Sequence, residues 1–381
     1  ESINTILEYV EAKKEGTIER LYVMGCLSER YLADLEEEIP EVDKYYGKFD
    51  WDNLISDLQE KIPTTKPHER MITTPNHYTY LKISEGCNRF CAFCAIPLIT
   101  GRHTSVPIEQ LVEEVKDLVS KGVKEFNVIA QDLSSYGIDL YGKMMLPELI
   151  ERIAQINGVE WIRLHYAYPA QFPYEILPVM ARYSNVCKYI DIALQHISNN
   201  VLDNMRRHIT KDETLALIER IRTEVPSIHI RTTLMVGFPG ESDSEFNELK
   251  DFVRSARFER MGTFAYCEED GTYAAKNYSD SIPQEAKEQR LAEIMELQEA
   301  ISLEINENKI GTIQKVVIDR EEEDYYIGRT QYDSPDVDPE VLIKKTTALS
   351  SMLLTSMQMV QLNLNSFLTI CSFTVLQLRI I

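Results

Sequence analysis

The chain is poor in cysteine, in positive charge and in long apolar runs, and each shortage narrows what it can be. Seven cysteines (Cys26, Cys87, Cys91, Cys94, Cys187, Cys267 and Cys371) are spread over 381 residues. An odd, sparse set without a secretory signal argues against a disulfide framework and for a reducing, cytoplasmic setting. Lys and Arg number 40 against 61 Asp and Glu, a formal net charge of -21. A nucleic-acid backbone would meet long-range repulsion, and the one compact basic run, Arg206-Arg207-His208, is short. From Thr346 to Leu378 there is no charge, and no Gly or Pro follows Pro339. The Ser, Thr, Gln and Asn interleaved there argue against a membrane span, and the missing turn formers argue against a compact β-barrel.

What is present is concentrated at Cys87-Asn88-Arg89-Phe90-Cys91-Ala92-Phe93-Cys94, three thiols within eight residues. A cubane iron-sulfur cluster takes one thiolate per iron, so three cysteines leave one iron open to another ligand. Two other chemistries use the same residues. Cys91 and Cys94 alone could form a redox pair, and the three cysteines with His103 could hold zinc. Structural zinc usually draws on two cysteine knuckles, and the chain has no second one.

Alternation of short buried strands with amphipathic helices begins at Tyr78 and repeats six times. The spacing predicts strands over Tyr80–Ser84, Glu125–Ala130, Glu160–His165, Tyr189–Leu194, Ile228–Val236 and Gly262–Ala265. Helices are expected over Ile108–Ser120, Pro147–Ile156, Tyr174–Tyr183, Thr214–Thr223 and Ser244–Ala256. That pattern implies a parallel sheet with right-handed crossovers, an α/β fold closing into a partial (β/α)6 TIM-like barrel. The strands run into Cys87, Gln131-Asp132, His165-Tyr166, Gln195-His196, Gly237-Phe238-Pro239-Gly240-Glu241 and Tyr266-Cys267. All six cues therefore fall on the carboxyl-end face, where such folds place their chemistry. His165 and His196, taken singly, are more often structural than catalytic.

Ahead of the barrel, Ile3, Ile6, Leu7 and Val10 mark a helix face. It is followed by a strand at Leu21–Met24, a helix from Ser28 to about Ile39, a strand near Lys44–Phe49 and a helix over Trp51–Leu58. Behind it, Pro283–Lys309 reads as a long charged helix with Ala292, Ile294, Leu297, Ala300, Ile301 and Ile305 as its seam. Ile313–Asp319 and Tyr325–Thr330 read as strands of a small β module. From Ile313 to Ile343 that module carries three basic and nine acidic residues, so it repels phosphate and attracts basic protein. Cys187 and Cys267 are expected to be small, mostly buried residues without a ligand role.

The cysteine loop with Glu85-Gly86 before it and Phe93 inside it, set on a six-unit barrel, resembles the radical S-adenosylmethionine (SAM) enzymes. The resemblance implies a [4Fe-4S] cluster on Cys87, Cys91 and Cys94 whose fourth iron chelates SAM, so that the cluster cleaves it. It also implies that Phe93, Gln131, Gln195, Gly237 and Gly240 surround the cofactor. The stretches Tyr22-Val23-Met24-Gly25-Cys26-Leu27-Ser28-Glu29-Arg30-Tyr31, Leu194-Gln195-His196 and Gly328-Arg329-Thr330 are similar to the RimO branch of the methylthiotransferases. So are Gln131-Asp132 with Tyr136-Gly137, and Asp333-Ser334-Pro335.

That branch implies methylthiolation of an aspartate β-carbon in a basic small-subunit ribosomal protein, with flavodoxin or ferredoxin as electron donor. A second [4Fe-4S] cluster is implied, for which Cys26 is the one matching ligand, its two companions falling before Glu1. Expected limits are 1–62 for a remnant of the N-terminal methylthiotransferase domain, 63–75 for a linker and 76–309 for the radical SAM core. A partial TRAM domain is expected over 310–343 and an atypical, non-native tail over 344–381. Methylthiolation of a tRNA adenosine, the reaction of the MiaB branch, and a non-catalytic zinc module stay open as alternatives.

Overall fold

The computed structural model describes residues 2–58, 70–345 and 359–363. Most of the expected linker and tail, with Cys371, lies outside the described residues.

The amino-terminal unit runs α1 (Ser2–Lys14), β1 (Tyr22–Met24), α2 (Cys26–Glu38), β2 (Lys44–Tyr46) and α3 (Trp51–Asp57). Its two strands pair in parallel, Tyr22 opposite Lys44. Ile6 and Val10, one helical turn apart, join Leu21, Leu35, Ile39 and Val42 in a small core.

The barrel strands are β3 (Tyr78–Lys82), β4 (Glu125–Ile129), β5 (Trp161–Ala167), β6 (Val186–Gln195), β7 (His229–Val236) and β8 (Arg260–Ala265). They form one sheet in sequential order, and every pairing is parallel. Between them lie α4 (Ile108–Ser120), α5 (Leu146–Ala154), α6 (Ile176–Arg182), α7 (Lys211–Glu224) and α8 (Asp243–Ala256). This is the expected α/β architecture, open between β3 and β8. Period two separates the two faces of each strand. In β4, Phe126 and Val128 enter the large apolar core shared with Leu111, Val115 and Leu118 of α4. Glu125 and Asn127 turn the other way and meet side chains of the neighbouring strand β5 on the lumen face.

Helix α9 (Gln284–Glu307) follows. Ile294 and Ile301 of its expected seam are buried, but Ala292 and Ala300 are exposed. Lys287, Arg290 and Gln298 take their place, bonding to Asp280, Glu241 and the Phe258 carbonyl. Among the described residues no helix is long and apolar enough to cross a membrane.

The last unit is a four-stranded antiparallel sheet of β9 (Ile313–Glu321), β10 (Tyr325–Thr330), β11 (Val341–Lys344) and β12 (Met359–Asn363). β12 pairs with β9, Ile313 opposite Asn363, so the sheet takes in residues beyond Lys344. Gly328 is required where β10 crosses β9, because a Cβ there would collide with the Val317 carbonyl oxygen. The module seats against the amino-terminal ends of the barrel strands. Val317 packs with Trp161, Cys187 and Tyr189, and Tyr332 stacks on His229 at 4.2 Å between ring centroids.

Candidate functional site: a thiol loop over the barrel mouth

The cysteine loop leaves the carboxyl end of β3 through Gly86. Its φ of 78°, and the Arg102 carbonyl oxygen that stands where any Cβ would project, admit only glycine. The loop is clamped at its centre. The Ala92 N–H donates to the Met205 carbonyl (2.9 Å) and the Ala92 carbonyl accepts from the Ala274 N–H (2.7 Å). These bonds tie the loop to the segments after β6 and β8. Cys87 and Cys91 are each 9 % exposed and Cys94 is partly exposed. Burial pushes the Cys87 thiol up to about 12 and the Cys94 thiol up to about 11. Both stay protonated until a metal displaces the proton.

Cys91 has a different neighbour. The buried guanidinium of Arg207 donates from Nη1 to its Sγ at 3.1 Å. Arg207 also lies over the Tyr168 ring at 4.2 Å, and Arg89 lies over the same ring at 4.3 Å. Arg89 in turn is held by Asp132 (2.7 Å), the residue after Gln131.

Phe93 packs edge-on to Phe238 (6.4 Å between ring centroids), which meets Tyr266 in the same way at 5.1 Å. Gly237 and Gly240 both have positive φ (72° and 88°), and the Gly237 N–H donates to Glu241 Oε2 at 2.9 Å. Glu241 is buried and paired with Arg290 of α9. Gln195 ends β6 at a φ of 72°, and its buried Oε1 has no partner. Gln131 donates to Glu85 while its buried Oε1 is likewise free. Unpartnered buried acceptors at a mouth are the kind of group a polar cofactor satisfies.

Three histidines lie nearby, and the buried Nε2 of His196 has no hydrogen-bond partner. The imidazole of His103 faces the Ser105 hydroxyl (3.1 Å), which donates to Asp139. His196 Nδ1 accepts from the Ser198 N–H at 3.0 Å. His165 faces Asn127, and burial holds it well below the usual imidazole range, so it is neutral. Among the described residues no three His, Cys, Asp or Glu converge on a point where one metal ion could sit.

Cys187 is fully buried beneath the barrel, as expected. Cys267 is not: it is exposed beyond the end of β8, because the chain there has already left the sheet. Cys26 is exposed at the first turn of α2. Arg30 of that helix bonds Glu269 and the Asp270 carbonyl, and Lys48 bonds Glu85 at 2.9 Å, so the amino-terminal unit is tied to the mouth. Sequence reasoning missed Arg207, Tyr168 and Arg89. Its only signal for the first was the basic run, which was weighed only as a phosphate-binding patch.

The geometry belongs to a recognisable class. The profile of the Radical SAM superfamily matches residues 81–253 and that of the TRAM domain matches residues 310–365. The ribosomal protein uS12 methylthiotransferase RimO of Phocaeicola vulgatus is 64 % identical over 344 residues, covering 90 % of this chain and 80 % of that one. The protein of the same name from Christiangramia forsetii is 53 % identical over 347 residues, 91 % and 77 % of the two chains. This chain belongs to the RimO family of radical SAM methylthiotransferases. A solved structure of the cobalamin-dependent radical enzyme OxsB overlaps with a TM-score of 0.49 and 15 % identity over 76 % of this chain and 46 % of that one. That overlap is too loose to add to the fold described above.

Proposed function

We propose that this chain transfers a methylthio group to the β-carbon of an aspartate in ribosomal protein uS12, in the cytoplasm. Cys87, Cys91 and Cys94 hold the [4Fe-4S] cluster in this proposal. The observation that carries it is the placement of three thiols on one clamped loop at the carboxyl ends of six parallel strands. Bound there, cluster and SAM supply one-electron chemistry able to activate an unreactive C–H bond. The chain supplies orientation and shelter. Phe93 and Phe238 wall the site on one side, the backbone turn at Gly237–Gly240 borders it, and the free Oε1 atoms of Gln131 and Gln195 offer acceptors.

Cys26 is one ligand of the second cluster that the full-length enzyme carries in this reading, and the Arg30 and Lys48 contacts tie its unit to the mouth. Flavodoxin or ferredoxin delivers the electrons. The net charge of -21 favours a basic protein substrate over tRNA.

Anaerobic reconstitution with iron and sulfide counting, followed by mass analysis of uS12 and of tRNA incubated with the loaded protein, tests the proposal. Methylthio mass on uS12 is expected. Mass on tRNA adenosine instead would assign the MiaB reaction, and stoichiometric zinc without iron would assign a zinc module. Cys91→Ala should abolish SAM cleavage by losing the cluster; retained iron and cleavage in that variant would reject the ligand set.

A further inference from the structure

Arg207 is buried, and among the described residues no carboxylate pairs with it. Its Nη1 donates to Cys91 Sγ at 3.1 Å and its Nη2 to the Ala193 carbonyl. Its Nε has no partner. A guanidinium withdrawn from water is costly unless an anion compensates it. The groups that face it are the Cys91 sulfur, the Tyr168 ring at 4.2 Å and, across that ring, Arg89. Cys94 also lies close enough to act on it electrostatically, but the sulfur bonded to Nη1, which carries negative charge once it ligates a metal, is that of Cys91.

The backbone is built to aim this side chain. Arg206 and His208 on either side have φ of 56° and 54°, the left-handed region that non-glycine residues enter only when their surroundings enforce it. Two bonds enforce it here. The Arg207 N–H donates to the Leu202 carbonyl (2.9 Å), and the Tyr168 hydroxyl donates to the Arg207 carbonyl (2.8 Å). The Met205 carbonyl, two residues earlier, receives the Ala92 N–H of the cysteine loop. The turn that carries Arg207 is therefore bonded directly to the loop that carries Cys91.

We propose that Arg207 is a positioning residue that sets the reduction potential of the cluster through the Cys91 sulfur. This rests on the ligand assignment made above. A cluster with three thiolates gains negative charge when it accepts an electron, and a hydrogen-bonded cation on one sulfur stabilises that reduced form. Arg207 thus raises the potential toward what a physiological donor can supply. Neither Arg89, held by Asp132, nor Arg206, stacked at 3.3 Å on the Tyr273 ring, has its guanidinium bonded to a thiol sulfur.

The test compares wild type with Arg207→Met and Arg207→Lys, each reconstituted anaerobically, by iron and sulfide counts, electron-resonance-monitored redox titration and SAM cleavage with a fixed chemical reductant. Arg207→Met should keep the wild-type iron count, shift the midpoint potential negative and lower the cleavage rate about tenfold or more, within the range seen when outer-shell partners of metal ligands are removed. Arg207→Lys, which keeps the charge but not the fork, should fall between. An unchanged potential in Arg207→Met at full iron content would overturn the proposal. So would a raised KM for SAM with the potential unmoved, which would make Arg207 a direct cofactor contact. If Arg207→Met fails to take up iron, Arg207→Lys decides by the same potential. Wild type that takes up no iron would instead remove the ligand assignment itself.

Discussion

Asp191 is the residue whose environment departs most from what its sequence position suggested. It lies within β6, in a stretch that reads simply as buried strand, yet it stands beside Arg231, its register partner on the neighbouring strand β7. Burial pushes its carboxyl up to about 6, against opposing attraction from Arg231, while the charge of Asp338 adds to the rise. The folded state therefore keeps a proton that the unfolded chain releases near pH 4. Stability from this group is fully present below pH 4 and is lost as pH rises through about 6. Asp191→Asn should remove about 3 kcal/mol of that fall, two pH units at about 1.4 kcal/mol each. Urea midpoints of the two proteins at pH 5 and 7.5 read the upper half of this fall, about 1.4 kcal/mol; parallel pH slopes would contradict it. A second residue-scale expectation concerns the cysteines outside the loop. Cys187→Ala and Cys267→Ala should both leave the iron count unchanged, the first at the stability cost of a small cavity and the second at none. Iron lost from Cys267→Ala would give its exposed sulfur a role. The thiol loop was legible because its chemistry is local, three like residues close in sequence. Cys267 was misplaced because burial depends on where the chain departs from the sheet, and spacing alone does not encode that departure.

At the scale of elements, apolar periodicity located the six barrel strands and the five longer helices between them, but it missed short helices such as Ile96–Thr100 and Asn199–Asn204 and placed some helix starts late. The helix expected from Thr214 begins at Lys211, and the one expected from Ser244 begins at Asp243. The cause is the same in both. A capping box sets the first turn before the apolar stripe begins: Thr210 with Glu213, and Ser242 with Glu245. Both boxes were present in the sequence as Ser or Thr followed three residues later by Glu. The Ser242 box also receives Ser198 and Asn200 on Glu245, so it fastens the turn after β6 to the start of α8. Ser242→Ala should cost about 1 kcal/mol, the usual worth of an N-cap, read from the denaturant midpoint. A change within error would mean that Glu245 holds the turn without its hydroxyl partner. Periodicity also could not identify the inward face. Glu125-Phe126-Asn127-Val128 alternates as a strand should, but nothing local tells which neighbours its polar residues meet. For Glu125 they include Arg329, 204 positions later, beside Arg163 of the next strand.

Those distant neighbours organise the whole molecule. Arg329 of β10 donates to both carboxylate oxygens of the fully buried Glu125, at 3.1 and 2.9 Å, and also to Asp319. Arg163 of β5 shares Glu125 at 3.2 Å and reaches the Gln331 carbonyl at 2.6 Å. Asp333 holds Arg260 and Asp338 holds Arg231. The β module is therefore the floor of the barrel, lying at the strands' amino-terminal ends and opposite the thiol loop. Its acidic surplus, which the sequence suggested as a docking surface, is in good part spent on these lumen arginines. Glu321 and Glu322, on its outer edge, pair with Lys345 and Arg320. Electrostatic attraction of a basic substrate then acts through the chain's total charge, since the module does not adjoin the mouth. If the floor is integral, removing one charge from it should be far more damaging than a surface change. Arg329→Met leaves Glu125 with Arg163 as its remaining cation and should cost about 3–5 kcal/mol, the penalty for a buried charge stripped of its partner. Adding Glu125→Gln to that variant removes the stranded charge and should recover part of the loss, whereas Glu125→Gln alone leaves two arginines facing one another and should also destabilise. Thermal and urea unfolding of the four proteins complete the cycle. An Arg329→Met cost below about 1 kcal/mol, typical of exposed ion pairs, would mean that the module is an appended arm and that the barrel closes without it.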